Sequence, residues 1–305
     1  MNGKILITGS SGFIGSHLKN DLASRGYRIV SFNSSDGDIS KTKLNFKTID
    51  FVFHLAGKSF VPDSWKNPKP FYDINIGGTL NVLEFCRKNK IGVLLMSSYV
   101  YGIPEVLPIN ENHPINPNNP YAHSKVLAEN LCAFYQKHFN LPVCILRPFN
   151  IYGRGMNNKL LISEIISQLH DKKSKKIILQ DLSPRRDYLF VDDLIEAMIM
   201  LFEKRKTGVY NIGSGKSLSV EEVVNSIITA SPINKKYSSK HSVRRNEIPD
   251  VVADISKITA EIGWKPKHAF EEGIRKTLAQ EKSIKLPIKA GIRADSRRSG
   301  DKRRA

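Results

Sequence analysis

The chain has 305 residues, and its 47 Lys and Arg against 29 Asp and Glu give a formal net charge of +18. With 40% hydrophobic residues it can bury a sizeable core, which excludes a wholly disordered chain. No apolar run approaches the ~20 residues of a membrane helix, and we expect no signal peptide. Cys86, Cys132 and Cys144 are widely spaced, which favours buried thiols over disulfides or a zinc site. We therefore expect a cytoplasmic globular protein without a metal.

Positive charge is concentrated in two segments. Residues 282–305 contain nine Lys or Arg and two Asp, and a second basic run spans Lys172–Lys176. We expect a solvated helix end at the second run and a basic tail without regular structure over residues 281–305. Electrostatic contact with RNA or with an acidic membrane surface is the alternative. Charge alone is weak evidence for it, and we do not expect nucleic-acid binding.

Strands and helices alternate through the first half of the chain. Apolar runs predict strands at Lys4–Thr8, Tyr27–Phe32, Phe51–Leu55, Val93–Met96 and Val143–Leu146. Helices are predicted from near Ser11–Gly12 to Gly26, at Gly77–Asn89 and at Ala122–Phe139. The alternation predicts right-handed crossovers and a parallel sheet, and the continuous apolar runs suit burial on both faces. The fold class is therefore α/β with a doubly wound parallel sheet.

The pattern is less regular after Asn150. It predicts helices at 160–170, 191–204, 220–230 and 270–280, and strands at 176–179, 187–191 and 208–212. We expect one domain over residues 1–156, completed by about residues 187–212. Residues 157–186 and 213–280 should form a smaller C-terminal α/β lobe that binds the substrate.

Three glycines, Gly9, Gly12 and Gly15, follow the first strand and open the first helix. At this spacing they permit a tight turn and a close approach of the backbone to a pyrophosphate. The helix N-terminus adds free N–H groups and a partial positive charge. In this context we predict a Rossmann-type dinucleotide site rather than an ordinary strand–helix turn. Further cofactor contacts within the turn are expected from Ser11, Phe13 and Ile14.

The choice between NAD and NADP depends on the end of the second strand. An acid there would favour NAD, and an arginine would favour NADP. The chain has Asn33, followed by two serines, which decides neither. Asp38 and Ile39 are candidates for the adenine pocket, with a plain loop acid as the equal alternative for Asp38.

Tyr121 and Lys125 lie four residues apart on one face of a predicted helix. A tyrosine normally titrates near 10, and a neighbouring lysine cation lowers that pKa. The pair therefore predicts a general acid/base, although alone it is typical of a surface aromatic beside a solvated lysine. Ser97 and Ser98, at the end of the fourth apolar strand, offer a hydroxyl for the reacting oxygen, and the glycine turn would bind a hydride carrier. These two features favour catalysis.

Five motifs stand in the order seen in extended short-chain dehydrogenases/reductases. They are Gly9-x-x-Gly12-x-x-Gly15, His54-Leu-Ala-Gly57, Ser97-Ser98-Tyr99-Val100-Tyr101-Gly102, Tyr121-x-x-x-Lys125 and Arg147-Pro-Phe-Asn150. Over roughly residues 3–280 the chain resembles the NAD-dependent epimerase/dehydratase group, which acts on nucleotide sugars. The resemblance implies that Tyr121 is the catalytic acid/base and that Lys125 tunes it and holds the nicotinamide ribose. It also implies that Ser97 hydrogen bonds the sugar oxygen.

The resemblance implies further contacts as well. Those at the cofactor are Leu55, Ala56, Gly57 and Pro148, and those at the substrate are Ser59, Asn75, Ser98 and Asn150. Arg186 and Arg244 would grip the diphosphate of a nucleotide sugar, for which the planar arginine fork is suited. Either arginine alone is more often a surface residue. Helices near 80–89 and 122–138 would form a homodimer interface.

The reaction stays open between two alternatives. Ser98 and Tyr99 replace the Asp-Glu pair of the 4,6-dehydratase branch, which disfavours a dehydratase. The span of 20 positions from Asn33 to Phe53 is short, as in the reductases of 4-keto-6-deoxy sugar nucleotides. Residues 54–156 look most like the GDP-6-deoxy-mannose reductase branch, whereas 244–254 fit epimerases equally. We expect a 4-keto-6-deoxy-hexose reductase first and a UDP-hexose 4-epimerase second, with a non-catalytic dinucleotide-binding sensor third.

Overall fold

The computed structural model describes residues 3–242 and 247–284. The strands are β1 Lys4–Thr8, β2 Arg28–Phe32, β3 Phe51–His54, β4 Gly92–Met96, β5 Val143–Pro148, β6 Asn150–Tyr152, β7 Lys176–Leu179, β8 Arg185–Phe190, β9 Gly208–Ile212, β10 Ser217–Ser219 and β11 Lys236–Ser239. The helices are α1 Phe13–Ser24, α2 Val61–Lys66, α3 Lys69–Tyr72, α4 Gly78–Asn89, α5 Pro120–Phe139, α6 Leu161–His170, α7 Val191–Glu203, α8 Val220–Ala230, α9 Ser256–Ile262 and α10 Phe270–Ile284. A π-helical turn, Asp73–Gly77, joins α3 to α4.

Six parallel strands form the main sheet in the order β2-β1-β3-β4-β5-β9. Successive residues of β1 point to opposite faces, so Ile5 and Ile7 enter one apolar cluster while Leu6 enters another. All three side chains are fully buried. Burial on both faces explains the continuous apolar runs and confirms the predicted doubly wound α/β fold.

The connection from β2 to β3 carries neither a helix nor a strand, which leaves β2 at the edge of the sheet with β1 as its neighbour. Residues 33–50 instead pack as an ordered loop. Ile39, Leu44 and Ile49 are buried in the core. The Asn81 side-chain amide donates to the carbonyl oxygens of Ile39 and Thr42, both at 2.8 Å. The loop is therefore fixed to α4.

The C-terminal lobe contains two small sheets. In one, β8 pairs in parallel with β6 and antiparallel with β10; in the other, β7 and β11 are parallel. Residues 187–212, expected to complete the first domain, are divided between the two parts. In this segment β9 joins β5 in the main sheet and α7 packs on α1, whereas β8 belongs to a small sheet. Asp187 links the parts: its buried carboxylate accepts hydrogen bonds from the Ser214, Gly215 and Ala253 amides.

Differences from the sequence prediction concern short elements and the tail. The pattern missed α2, α3, the π-helical turn, β6, β10, β11 and α9. The helix α10 runs to Ile284, so the tail predicted over 281–305 begins at least four residues too early; residues 285–305 lie outside the described residues. All three cysteines are buried, as predicted. In the part of the chain that the structure describes, every helix is too short or too polar to cross a lipid bilayer.

Candidate active site

The turn between β1 and α1 needs glycine at two of its positions. Gly9 has a φ of +74°, and a Cβ there would lie 2.8 Å from the Ala56 nitrogen. A Cβ on Gly15 would collide with the Gly9 carbonyl oxygen. Gly12 is exposed, so its missing side chain leaves room for a ligand. Gly9 and Gly15 therefore allow the tight packing of the turn, while Gly12 leaves its outer surface accessible to a ligand.

The N-terminus of α1 is suited to an anion. Its first turn contains no acidic residue, and no side chain caps it, so its leading N–H groups are available to a ligand. Ser11 is exposed beside it, and Phe13 and Ile14 are half-buried. The cradle of glycines and free amides therefore fits a dinucleotide pyrophosphate, as the spacing predicts.

Asn33 braces this turn. Its side-chain oxygen accepts hydrogen bonds from the Ser11 amide at 2.8 Å and the Ser10 hydroxyl at 3.1 Å. The Asn33 backbone amide donates to the Asp36 carboxylate at 2.8 Å. The residue expected at the adenosine ribose thus shapes the phosphate-binding turn, and no charged group at position 33 selects between NAD and NADP.

Asp38 and Ile39 differ in accessibility. Hydrogen bonds from the Ser40 hydroxyl and amide lower the pKa of the exposed Asp38 carboxyl, which is therefore ionised at neutral pH. Ile39 is buried against Gly78, where an added Cβ would lie 2.8 Å from the isoleucine methyl carbon Cγ2. In this structure Ile39 is a core residue that packs the loop onto α4.

The turn after β3 lies beside the glycine turn. The Leu55 and Ala56 amides donate to the Thr8 carbonyl and hydroxyl oxygens, while Gly57 and Ser59 are exposed. Asn75, in the π-helical turn, exchanges two hydrogen bonds with the Lys58 backbone at 2.9 and 3.1 Å. Both ends of the Asn75 side-chain amide thus hold Lys58, and its nitrogen also donates to the Ser124 hydroxyl at 2.8 Å.

The predicted acid/base pair lies on α5. Asn119 caps this helix by accepting the Ala122 amide hydrogen at 2.8 Å, which places Tyr121 in the first turn and Lys125 one turn later. The buried Lys125 amine donates to the Met96 carbonyl at 2.8 Å. Tyr121, Lys125, the end of β4 and the turn after β3 thus meet at the carboxyl ends of the parallel strands.

The two pKa values shift in ways that the sequence did not predict. Burial raises the pKa of Tyr121 to about 12, and the neighbouring Ser98 side chain offsets only part of that rise. Burial lowers the pKa of Lys125 to about 8, while the charge of Glu129 acts in the opposite direction. The lowered tyrosine pKa expected from Lys125 is therefore wrong for this structure, because desolvation of the phenolate raises the pKa and Lys125 is not among the groups that shift it.

The neighbouring serines point to different partners. Ser98 lies near enough to Tyr121 to lower its pKa, and its hydroxyl donates to the Tyr99 carbonyl at 3.5 Å. The Ser97 hydroxyl instead donates to the Glu129 carboxylate inside the protein. Ser97 is the position implied by the family resemblance. The structure therefore places Ser98, rather than Ser97, beside Tyr121, while the Ser97 hydroxyl faces Glu129.

The remaining predicted residues lie on β5, at the expected cofactor side, and on β6 and β8, at the expected substrate side. Pro148 is buried at the end of β5, and the Asn150 amide donates to the Asp187 carbonyl at 3.1 Å. The Arg186 guanidinium donates to the Glu247 carboxylate and, at 2.6 Å, to the Ile248 carbonyl. Arg244 lies outside the described residues.

The comparisons with known proteins identify the family. Residues 5–213 match the model of the NAD dependent epimerase/dehydratase family. The chain belongs to this family. UDP-glucose 4-epimerase of Lactobacillus helveticus is 31% identical over 307 residues, covering 87% of this chain and 92% of the relative. GDP-6-deoxy-D-mannose reductase of Pseudomonas aeruginosa is 28% identical, covering 93% and 98%.

A solved structure agrees with the fold and the cofactor class. RMD from Pseudomonas aeruginosa, complexed with NADPH, has a TM-score of 0.84 at 28% identity and covers 93% of this chain and 100% of that one. The protein is therefore an enzyme of the NAD-dependent epimerase/dehydratase family, as its motifs predict.

Glu129 belongs to none of the sequence motifs, although its side chain contacts two of them. Its carboxylate accepts hydrogen bonds from Ser97 and from Arg147. The available signal was an acidic residue four positions after Lys125 on the buried face of α5. Within residues 3–242 and 247–284, no group of three or more His, Cys, Asp or Glu side chains is placed to hold a metal ion.

Proposed function

We propose that this enzyme reduces C4 of a 4-keto-6-deoxy sugar carried on a nucleoside diphosphate, with NADPH or NADH as the reductant. The observation that carries the proposal is the short connection of residues 33–50, which leaves β2 at the sheet edge. A short span here is the feature by which the sequence resembles reductases more than long-spanned epimerases. The relationship to a GDP-6-deoxy-D-mannose reductase gives further support.

The side chains fit reduction of a carbonyl. Bound NADPH or NADH would supply the hydride. Tyr121 carries its proton at neutral pH, because burial raises its pKa to about 12, so it can donate that proton to the sugar O4. Ser98 would hydrogen bond the same oxygen, and the Lys125 ammonium would stabilise the phenolate that remains. The net step adds a hydride to C4 and a proton to O4.

The diphosphate of the substrate would bind near Arg186. In this structure the guanidinium is engaged by Glu247 and Ile248, so we propose that the substrate displaces at least the Glu247 contact. Arg244 would provide the second cationic group, with Asn150 and Ser59 nearer the sugar. We propose in the same way that substrate contacts come from Arg186, Asn150 and Ser59. The proposed cofactor contacts are Leu55, Ala56, Gly57 and Pro148.

A 4-epimerase is the second candidate, and the relationship to UDP-glucose 4-epimerase favours it. The same Tyr121 would then first accept a proton from the sugar 4-hydroxyl and later return it. A non-catalytic sensor is the third candidate; the presence of Tyr121, Lys125 and Ser98 around one point argues for chemistry instead.

We also propose a homodimer formed through α4 and α5. The outer faces of these helices expose apolar side chains, with Phe134 at 54% and Phe139 at 46% of their full accessibility. Leu80 on α4 is exposed as well. Apolar groups of this size on two adjacent helices are typical of an interface.

The experiment that separates the first two candidates is to denature the purified protein and identify the nucleotide that it releases. An epimerase regenerates its cofactor in each cycle and gains by retaining it, whereas a reductase must exchange spent cofactor in every turnover. We expect a largely empty protein that binds NADPH or NADH. Stoichiometric NAD would overturn the reductase proposal in favour of the epimerase.

A further inference from the structure

A buried ion pair lies directly behind the candidate active site. Glu129 on α5 and Arg147 on β5 are 5% and 4% exposed. Their side chains form a bidentate contact, with the Arg147 NH2 group 2.6 Å and Nε 3.1 Å from the carboxylate. Burying an ion pair costs desolvation energy that the mutual attraction often fails to recover. Stability alone is therefore a weak reason for this pair.

The pair joins the strand ends that carry the site. The Ser97 hydroxyl, at the end of β4, donates to Glu129. Arg147 donates to the Tyr101 hydroxyl at 2.9 Å, which donates to Asn211 on β9 at 2.6 Å. Four elements, β4, β5, β9 and α5, are thus connected by hydrogen bonds through one carboxylate and one guanidinium.

Lys125 faces this network from the other side. On α5 it lies one turn before Glu129 and two before Cys132, and both groups interact with it electrostatically. From β4 the Met96 carbonyl accepts its hydrogen bond, and from β3 it faces His54, a neutral ring whose pKa burial lowers to about 3. Among these groups, Glu129 carries the negative charge.

We propose that Glu129 is a positioning residue that anchors Ser97 and Arg147 behind the site and supplies the negative charge that keeps the buried Lys125 amine an ammonium. Without this carboxylate, Lys125 and Arg147 would be two buried cations with no anion between them. Arginine does not lose its proton in proteins, so the lysine would. The catalytic consequence rests on the proposed function, but the charge state of Lys125 does not.

The test is a titration of Lys125 in the full-length, cofactor-free protein. Lysine labelled with ¹³C at Cε is followed by NMR, and the Lys125 signal is the one absent from Lys125→Met. It should titrate near pH 8, well below the pKa of about 10.4 that exposed lysines have. Glu129→Gln should lower this midpoint by about one unit or more. Glu129→Asp, which keeps the charge, should restore most of it.

Glu84→Gln is the matched control. Like Glu129, Glu84 binds an arginine, Arg87, through two hydrogen bonds. It also accepts a hydrogen bond from the Tyr135 hydroxyl. It lies 3.6 Å from Lys88, four residues later on α4. It therefore repeats the chemistry of Glu129 at a more accessible place, and its substitution should leave the Lys125 midpoint unchanged.

An unchanged Lys125 midpoint in Glu129→Gln, or an equal shift in Glu84→Gln, would overturn the proposal. If Glu129→Gln does not fold, the pair Glu129→Leu with Arg147→Met removes both buried charges and should still lower the midpoint. In the pH profile of kcat, the fall in activity at high pH should occur at a lower pH in Glu129→Gln than in the wild type. A shifted midpoint in a protein that reduces no sugar nucleotide would refute the proposed function and leave the charge role of Glu129 intact.

Discussion

At the scale of single residues, Tyr121 is the centre of the proposed chemistry. Its hydroxyl is protonated at neutral pH, because burial raises its pKa to about 12. A protonated phenol is ready to donate to a developing alkoxide, as a reductase requires. The first half of an epimerase cycle would need the phenolate instead. Ser98 is the serine near enough to lower the Tyr121 pKa, and Lys125 lies one helical turn away.

Tyr121→Phe should lower kcat at least about 100-fold, because it removes the proton that the sugar oxygen receives. Affinity for NADPH or NADH, measured by fluorescence titration, should change little. Tyr72→Phe is the control, since the Tyr72 hydroxyl contacts His123, at 3.1 Å, rather than the site. Near-normal kcat in Tyr121→Phe would remove this residue from the mechanism.

The two serines should respond differently to substitution by alanine. Ser98→Ala should lower kcat roughly 10- to 100-fold with little change in melting temperature, because it removes a hydrogen bond to the reacting oxygen. Ser97→Ala should instead destabilise the fold by about 1–3 kcal/mol, because it deprives a buried carboxylate of a donor. Steady-state kinetics and thermal unfolding of both variants distinguish these effects. The reverse pattern would return Ser97 to the catalytic position.

His54 should make the protein less stable in acid. Burial lowers its pKa in the folded state to about 3, against about 6.5 when unfolded. Below pH 6.5 the unfolded state binds a proton that the folded state does not. This contribution is therefore fully present above pH 6.5 and is lost as the pH falls toward 3.

The His54 contribution amounts to about 1.4 kcal/mol per pH unit within that window. Urea unfolding of the wild type and of His54→Gln between pH 4 and 7 measures it, with the variant showing the shallower dependence. Equal slopes in the two proteins would mean that His54 titrates normally in the folded state.

At the scale of elements, the strands of the main sheet were predictable because each is a buried apolar run. The sequence also placed Tyr121 and Lys125 on one helix face. It could not give the sign of the Tyr121 pKa shift, because burial there depends on distant strands and turns. The short elements α2, α3, β6 and β10 were missed because three to six residues show too little periodicity to be recognised. Their form is set by tertiary contacts.

The exposed faces of α4 and α5 give an element-scale prediction. Phe134→Asp should convert the proposed dimer to a monomer, because it places a charge in an apolar interface. Light scattering during size-exclusion chromatography measures the mass. Ile178→Asp on β7 is the control, since Ile178 is a comparably exposed apolar residue away from these helices. A wild-type protein that is already monomeric would contradict the proposed interface.

At the scale of the whole molecule, the chain leaves the main sheet after β5 and returns to it with α7 and β9. The small sheets of the C-terminal lobe are thereby tied to the carboxyl ends of the parallel strands, where ligands bind in folds of this class. The Asp187 carboxylate fixes this connection by accepting three backbone amides. Substrate and cofactor would thus meet between the sheet and the lobe.

The most direct test of the reductase proposal is turnover with a defined substrate. Purified protein is mixed with GDP-4-keto-6-deoxymannose and either NADPH or NADH, and both the reduced nicotinamide and the sugar are quantified. We predict steady consumption of one reduced nicotinamide for each 6-deoxy sugar nucleotide formed, and its loss in Tyr121→Phe. Absence of turnover with GDP-, UDP- and dTDP-linked 4-keto sugars, together with interconversion of UDP-hexoses without net consumption of nicotinamide, would contradict it.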